Sequence, residues 1–408
     1  MLSAERIMQR CDALARHSEL EGGLTRVFLS PQARAATDQV LGWMREAGMQ
    51  AKLDAIGNAA GRYEGERPGL PCLMLGSHLD TVRDAGRYDG MLGVVSAIEC
   101  VGFLNSKKAR LPFAIEVIGF GDEEGVRFGT TLLGSRAVAG TFDDKALAAV
   151  DSSGTRMEKA LRDFGLDPKR IPDIARKKSA VLAYAELHIE QGPVLEAEGL
   201  AVGVVSAING FSRLRATLRG AAGHAGTVPM NLRRDALAGA AECVLATERI
   251  AKGHAELVGT VGRIEARPGA INVIPGEVML TVDVRAPQDP LRKHAVAAIR
   301  AEIEAICRRR NLQSEIELLQ EFGVTGCAPW LMAQMDRAVA SQGYKVRRLP
   351  SGAGHDGMAL GAITDICMLF VRCKGGVSHS PLESITKEDA AAGATVLYDF
   401  IEHFKLSA

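Results

Sequence analysis

The chain has 408 residues, and its 49 Lys and Arg balance 49 Asp and Glu to a formal net charge of zero. That length exceeds one ordinary core, so two domains are expected, and interspersed balanced charge offers no field to draw nucleic acid or an anionic membrane surface. Without an apolar run near the length of a membrane span or a signal-like N-terminal segment, the chain reads as soluble and cytoplasmic.

In chain order, residues 71–78 (PCLMLGSH) form an apolar run ending in polar residues, which predicts a buried strand; 91–104 predicts a helix, and 113–124 (FAIEVIGFGDEE) a second buried strand. Strands alternating with helices up to about residue 207 argue an α/β sheet covered on both faces. A differently paced unit follows. Residues 213–220 alternate as a strand, 232–250 are helical, 257–266 and 276–285 form a strand pair, 290–309 is an amphipathic helix, and 314–320 is a last strand. That βαββαβ order predicts a ferredoxin-like insertion. The α/β pattern resumes with a helix at 329–342, a strand at 366–372 and a helix at 387–404. The expected organisation is a discontinuous catalytic domain, 1–207 and 324–408, carrying an inserted domain, 208–323. The eight cysteines contain no CxxC pair and sit mostly in apolar stretches, as reduced core residues do.

Five metal-ligand residue types stand in short turn-like phrases: His78 in GSHLD, Asp89 in RYDG, Glu124 in GDEEG, His188 in LHIEQGP and His379 in VSHSP. Each alone is ordinary, but several close strands, where open α/β sheets place their chemistry. If Asp89 bridges through both oxygens, one ion takes His78, Asp89 and His188, and the other takes Asp89, Glu124 and His379. Both ions then keep open positions, as a hydrolytic site requires. Glu123 precedes Glu124, and on extended backbone the two side chains point in opposite directions, so Glu123 is free to act as general base. Asp80 is expected to accept the second ring N–H of His78.

The phrases GSHLDTV, YDGMLGV, GFGDEEGVRFG, LHIEQGP, GHAGTVPM, RPGAINVIPGEV, DVR, SGAGHD and HSPLE, in that order across nearly the whole chain, resemble the M20 metallopeptidase-like amidohydrolases. They are most similar to the branch that cleaves ureido groups: allantoate amidohydrolases, N-carbamoyl-L-amino-acid hydrolases and β-ureidopropionases. The resemblance implies a mixed-sheet, di-metal catalytic domain covered by helices and an inserted lid, whose open strand edges lead us to expect a two-fold homodimer through it. It assigns His78, Asp89, Glu124, His188 and His379 to two divalent ions, manganese or zinc, with cobalt or nickel also suited to such ligands. It assigns Glu123 as base. His188 stands where ordinary peptidases of the wider family commonly have a carboxylate, which points to the ureido-cleaving branch.

The same resemblance gives the inserted domain a chemical part. His224 is implied to stabilise the oxyanion, in its own subunit or in the partner of a homodimer. Asn272 and Arg285 are implied to bind substrate; by side-chain chemistry the Arg285 guanidinium suits a substrate carboxylate through two parallel hydrogen bonds, and the amides of Gln191 and Asn272 suit the ureido group. His355 and Asp356 are expected near the metals, with His355 against substrate or supporting the ligands. The expected substrate is a small ureido acid, allantoate first and an N-carbamoyl amino acid second; a peptidase or a catalytically silent binding protein comes after these.

Overall fold

The computed structural model describes residues 2–406, which divide into two compact units. The first takes in residues up to Ser206, Cys327–Leu349 and those from Ala353 on; the second is Ala207–Gly326 with Pro350–Gly352.

The first unit is built on a mixed sheet whose neighbours run Gln50–Leu53, Ala59–Tyr63, Ala114–Phe120, Cys72–His78, Val181–Ile189, Ile366–Val371 and Val202–Ile208. The four middle strands are mutually parallel. They are apolar along nearly their whole length because both faces are covered, so nothing favours a polar residue until the strand ends. Helix Met91–Ser106 is buried almost all round. It lies against Cys72–His78 and Val181–Ile189 and is itself covered by Ala4–Ala15 and Lys387–Glu402. Helix starts follow local chemistry. Ser30 caps Pro31–Glu46, with Pro at the first position, where a missing N–H costs nothing. Thr386 and Asp389 form a reciprocal capping box at the start of Lys387–Glu402, and Asp389 also binds Arg372 at 2.7 Å.

The second unit has the βαββαβ chain order. Its antiparallel sheet runs Gln313–Phe322, Gly210–Arg219, Glu277–Ala286, Val258–Arg267, with helices Ala236–Lys252 and Asp289–Arg309 packed on one face. Leu214, Ala216 and Leu218 alternate inward beside Val278, Leu280, Val282 and Val284. The opposite face is ionic: Arg213 meets Asp283 at 3.0 Å, Arg215 meets Glu317 at 3.1 Å, and Arg219 joins Glu277 and Glu315. The first helix begins at Ala236 rather than at the expected residue 232, because the Asp235 carboxylate accepts the N–H groups of Leu237 and Ala238 and sets the cap there. All eight cysteines are free and buried. Among the described residues, no helix is long and apolar enough to cross a membrane.

Candidate metal centre

The parallel strands deliver the expected residues to one place. His78 is the last residue of Cys72–His78, and His188 is the penultimate residue of the neighbouring Val181–Ile189. Glu123 and Glu124 lie just beyond Ala114–Phe120, and Asp89 sits in the turn that opens helix Met91–Ser106. That turn needs Gly90, whose φ of 73° suits glycine and where an added Cβ would lie 2.5 Å from His78 Nδ1.

Asp89 is the hub. Its Oδ1 lies 3.3 Å from His78 Nε2 and 3.1 Å from His188 Nε2, and its Oδ2 lies 3.3 Å from His379 Nε2. His379 Nε2 is in turn 3.4 Å from Glu124 Oε1. Each buried ring turns its other nitrogen to a main-chain carbonyl: His78 Nδ1 to Asp80 O at 3.0 Å, and His188 Nδ1 to Ile189 O at 2.9 Å. A carbonyl only accepts, so both rings carry a proton on Nδ1, and as neutral imidazoles both direct an Nε2 lone pair at Asp89. Those two nitrogens are 3.5 Å apart. Three lone-pair donors facing one buried point call for positive charge between them. The field acts the same way on protons. Burial works against the charged form of His78, yet hydrogen bonding to Asp89 and the nearby Glu123 and Asp80 hold its pKa well above the ordinary value; His188 is raised against burial by Asp89. Burial pushes Glu124 up to about 7 and Glu123 well above the carboxylate range, with His78 opposing both shifts.

Groups able to hold a cation with mutually close ligand atoms are His78, Asp89 and His188; Asp89, Glu124 and His379; His78, Glu123 and Glu124; and Glu186, His188 and His355. The donor set, imidazole nitrogens with carboxylate oxygens, suits a divalent ion of the first transition row. The two halves differ in access, since the His188 side chain is 1% exposed and that of His379 is 48%.

Several expectations need correction. The hydrogen bond of His78 goes to the Asp80 carbonyl, and the Asp80 carboxylate stands off at 3.8 Å from His78 Nδ1, near enough for charge but not for that bond. The carboxylate oxygens instead accept the backbone N–H groups of Glu123 (3.0 Å) and Glu124 (3.1 Å). Two successive N–H groups turned to one anion mean a turn, not the extended backbone expected there, and Asp122 before them has φ of 61°. His355 is not placed to receive substrate: it is 1% exposed, its ring packed edge-on to His188 with centroids 4.6 Å apart. Burial there, together with His188, holds its pKa well below the ordinary value. Asp356 beside it is also buried. The side-chain fork of Arg285 is already engaged by Asp283, through Nε at 2.8 Å and Nη2 at 3.1 Å, and Nη1 donates to Gly352 O at 2.8 Å. Of its five N–H groups, two remain for a ligand.

Gln191 lies beside the hub, its Nε2 donating to Asp89 Oδ2 at 2.8 Å. In the second unit, His224 is exposed, on Gly223–His224 paired with Val273–Ile274. Its Nδ1 accepts from the Gly226 N–H at 3.0 Å, which leaves Nε2–H as an outward donor. Asn272 is exposed at the adjoining turn, with its carbonyl accepting from Ala225 N–H. Two residues at the hub were missed. Ser378 Oγ donates to Asp89 Oδ2 at 2.6 Å, and Glu383 accepts the N–H groups of Tyr88 (2.7 Å) and Asp89 (3.2 Å). Both stand within the VSHSPLE phrase, next to His379 and four residues beyond it.

A sequence model described as Peptidase family M20/M25/M40 matches residues 74–403. The chain belongs to that family. Among family relatives, a protein named N-carbamoyl-L-amino acid amidohydrolase from Geobacillus stearothermophilus is 44% identical over 399 residues, 98% of each chain. A probable allantoate deiminase from Oryza sativa subsp. japonica is 41% identical over 432 residues, covering 98% of this chain and 88% of that one. In structure, the chain matches an amidase of the hydantoinase/carbamoylase family from Burkholderia multivorans with a TM-score of 0.92 at 33% identity, over 98% and 97% of the two chains. The family fold, a mixed α/β sheet covered by helices, is the one expected from the sequence.

Proposed function

We propose that this protein is a metal-dependent amidohydrolase that opens the ureido group of an acyclic ureido acid, with allantoate as substrate. The observation that carries the reading is Asp89, which turns one oxygen to His78 and His188 and the other toward His379 beside Glu124. In this reading those five residues hold two divalent ions, manganese or zinc. When bound, the ions polarise the carbonyl under attack and ease deprotonation of water.

The chain's own groups do the rest. Glu123 takes a proton from the attacking water and returns it to the departing nitrogen, so ammonia leaves. The remaining carbamate loses carbon dioxide, and allantoate plus one water gives ureidoglycine, ammonia and carbon dioxide. His224 offers Nε2–H to the oxyanion. The two free N–H groups of Arg285 take the substrate carboxylate, and Gln191 and Asn272 contact the ureido amides. Supporting structures hold the site in place: His355 backs His188, and Asp80 fixes the turn that carries Glu123 and Glu124.

Two relatives of similar identity carry different substrate names, so N-carbamoyl-L-amino acids are the second reading. The deciding experiment measures ammonia release from metal-stripped protein reloaded with Mn²⁺ or Zn²⁺, offered allantoate, N-carbamoyl-β-alanine, N-carbamoyl-L-amino acids and a dipeptide. A tenfold or greater preference in kcat/KM for allantoate supports the first reading. Preference for a carbamoyl amino acid keeps the chemistry and changes the substrate, and no ureido turnover refutes both. We also place the protein in the cytoplasm, in keeping with eight free cysteines. We assign it a two-fold dimer through the second unit, whose Leu245, Val258 and Ile264 are exposed on a helix and an edge strand. A fully active monomer in light scattering would remove the dimer.

A further inference from the structure

Asp89 has a demanding task, because its two oxygens must face two different sets of partners at once. Rotation about its Cβ–Cγ bond is soft, with broad minima, so something outside the ligand set has to fix it. Glu383 is placed to do so. It is 5% exposed, and every hydrogen bond its side chain makes ends on the backbone at Tyr88 and Asp89 or on Ser378. One oxygen accepts the two backbone N–H groups, which sets where the Asp89 main chain lies. The other is 3.1 Å from Ser378 Oγ, and that hydroxyl donates to Asp89 Oδ2 at 2.6 Å. The hydroxyl has one proton to share between these two acceptors, so Glu383 grips Asp89 directly through its backbone, while Ser378, seated where the two carboxylates meet, reaches its outer oxygen.

The surroundings are shaped around this side chain. A Cβ at Gly86 would lie 2.2–2.3 Å from Glu383 Cδ, Cβ and Oε1, so only glycine leaves it room. Among the described residues, no ion pair joins Glu383 to a cation, and a buried carboxylate without one is a costly feature unless its hydrogen bonds serve a purpose.

We propose that Glu383 and Ser378 are positioning residues that set the torsion of Asp89, so that Oδ1 serves the His78 and His188 side while Oδ2 serves the His379 side. This rests on the metal-dependent reading above. Loss of the grip lowers divalent-ion affinity and disturbs the shared carboxylate, without removing a ligand.

The test titrates metal-stripped protein with Mn²⁺, reading stoichiometry and affinity from free ion and the magnetic coupling between paired ions from electron paramagnetic resonance. Glu383→Ala is expected to bind Mn²⁺ roughly 10- to 100-fold more weakly and to lose or alter the coupling. Glu383→Gln should stay within about threefold of the wild type, well short of the loss expected for a broken supporting contact, since its amide oxygen still accepts both N–H groups and its amide nitrogen can donate to Ser378. Gly86→Ala, which forces the carboxylate aside without removing it, should reproduce the Glu383→Ala result. If Glu383→Ala does not fold, Ser378→Ala decides, because it removes only the hydroxyl between the two carboxylates. Folded Glu383→Ala or Ser378→Ala protein with wild-type affinity and unchanged coupling overturns this inference and leaves the proposed function standing. A wild-type protein that binds no divalent ion overturns both.

Discussion

Glu123→Gln separates chemistry from binding. The replacement has the same shape, so it opens no cavity and leaves the ligand groups around Asp89 intact. What it removes is the proton acceptor. A general base contributes about 10²–10⁴-fold, which at ~1.4 kcal/mol per tenfold is roughly 2.7–5.5 kcal/mol of transition-state stabilisation. Turnover should fall by at least that range's lower end while metal content stays at the wild-type value. The metal-free protein gives a second sign. Glu123 lies among Glu124, Asp356 and Asp80, and its folded-state pKa is raised, chiefly by burial. A raised carboxyl binds its proton more tightly folded than unfolded, so it costs stability as pH rises from the unfolded value through the folded one. Neutral Gln escapes that cost, and the metal-free variant should melt at or above the wild type at pH 8. The assays are ammonia release at saturating substrate, metal analysis and thermal melting. Activity above a tenth of wild type with metal retained would refute the role of Glu123.

Arg285→Lys should raise KM for a carboxylate-bearing ureido acid at least tenfold with a smaller change in kcat, since a lysine cannot reproduce the planar fork held by Asp283; steady-state kinetics read this directly. Gly90→Ala places a methyl 2.5–2.6 Å from the His78 ring at φ 73° and ψ −53°, so backbone strain of about 1–3 kcal/mol adds to overpacking of about 1–3 kcal/mol. Its melting temperature and metal content should both drop. Chelation should abolish turnover and lower the melting temperature, and restoring ion to about 100 times its dissociation constant should return about 2.7 kcal/mol.

The sequence made the strand ends legible because parallel strands covered on both faces are apolar until they stop, so His78 and the pair Glu123 and Glu124 stood out where the apolar runs ended. The second unit was legible through alternation, as in Gly210–Arg219, where Leu214, Ala216 and Leu218 face the core. What escaped depended on contacts between distant segments. Asp80 could not be seen to reach the 123–124 turn, because its neighbour in sequence, His78, was the nearer candidate. Glu383 lies 294 residues from Asp89, and nothing in LES marks a buried carboxylate. Asp283 is two residues before Arg285 on the same strand face, a spacing that period-two alternation does disclose once the strand is assigned.

The imidazole protons of His78 and His188 are parked on carbonyls of residues one and two positions further along the chain. Most side chains that steer a histidine can be lost by a single codon change, but a peptide carbonyl is supplied by every amino acid. Substitution at Ile189 or Asp80 therefore leaves the acceptor in place, and the orientation of the two innermost rings is insulated from mutational drift. The His379 half has no such insulation, because its ring is the exposed one and its Nε2 meets side chains, Asp89 and Glu124 among them.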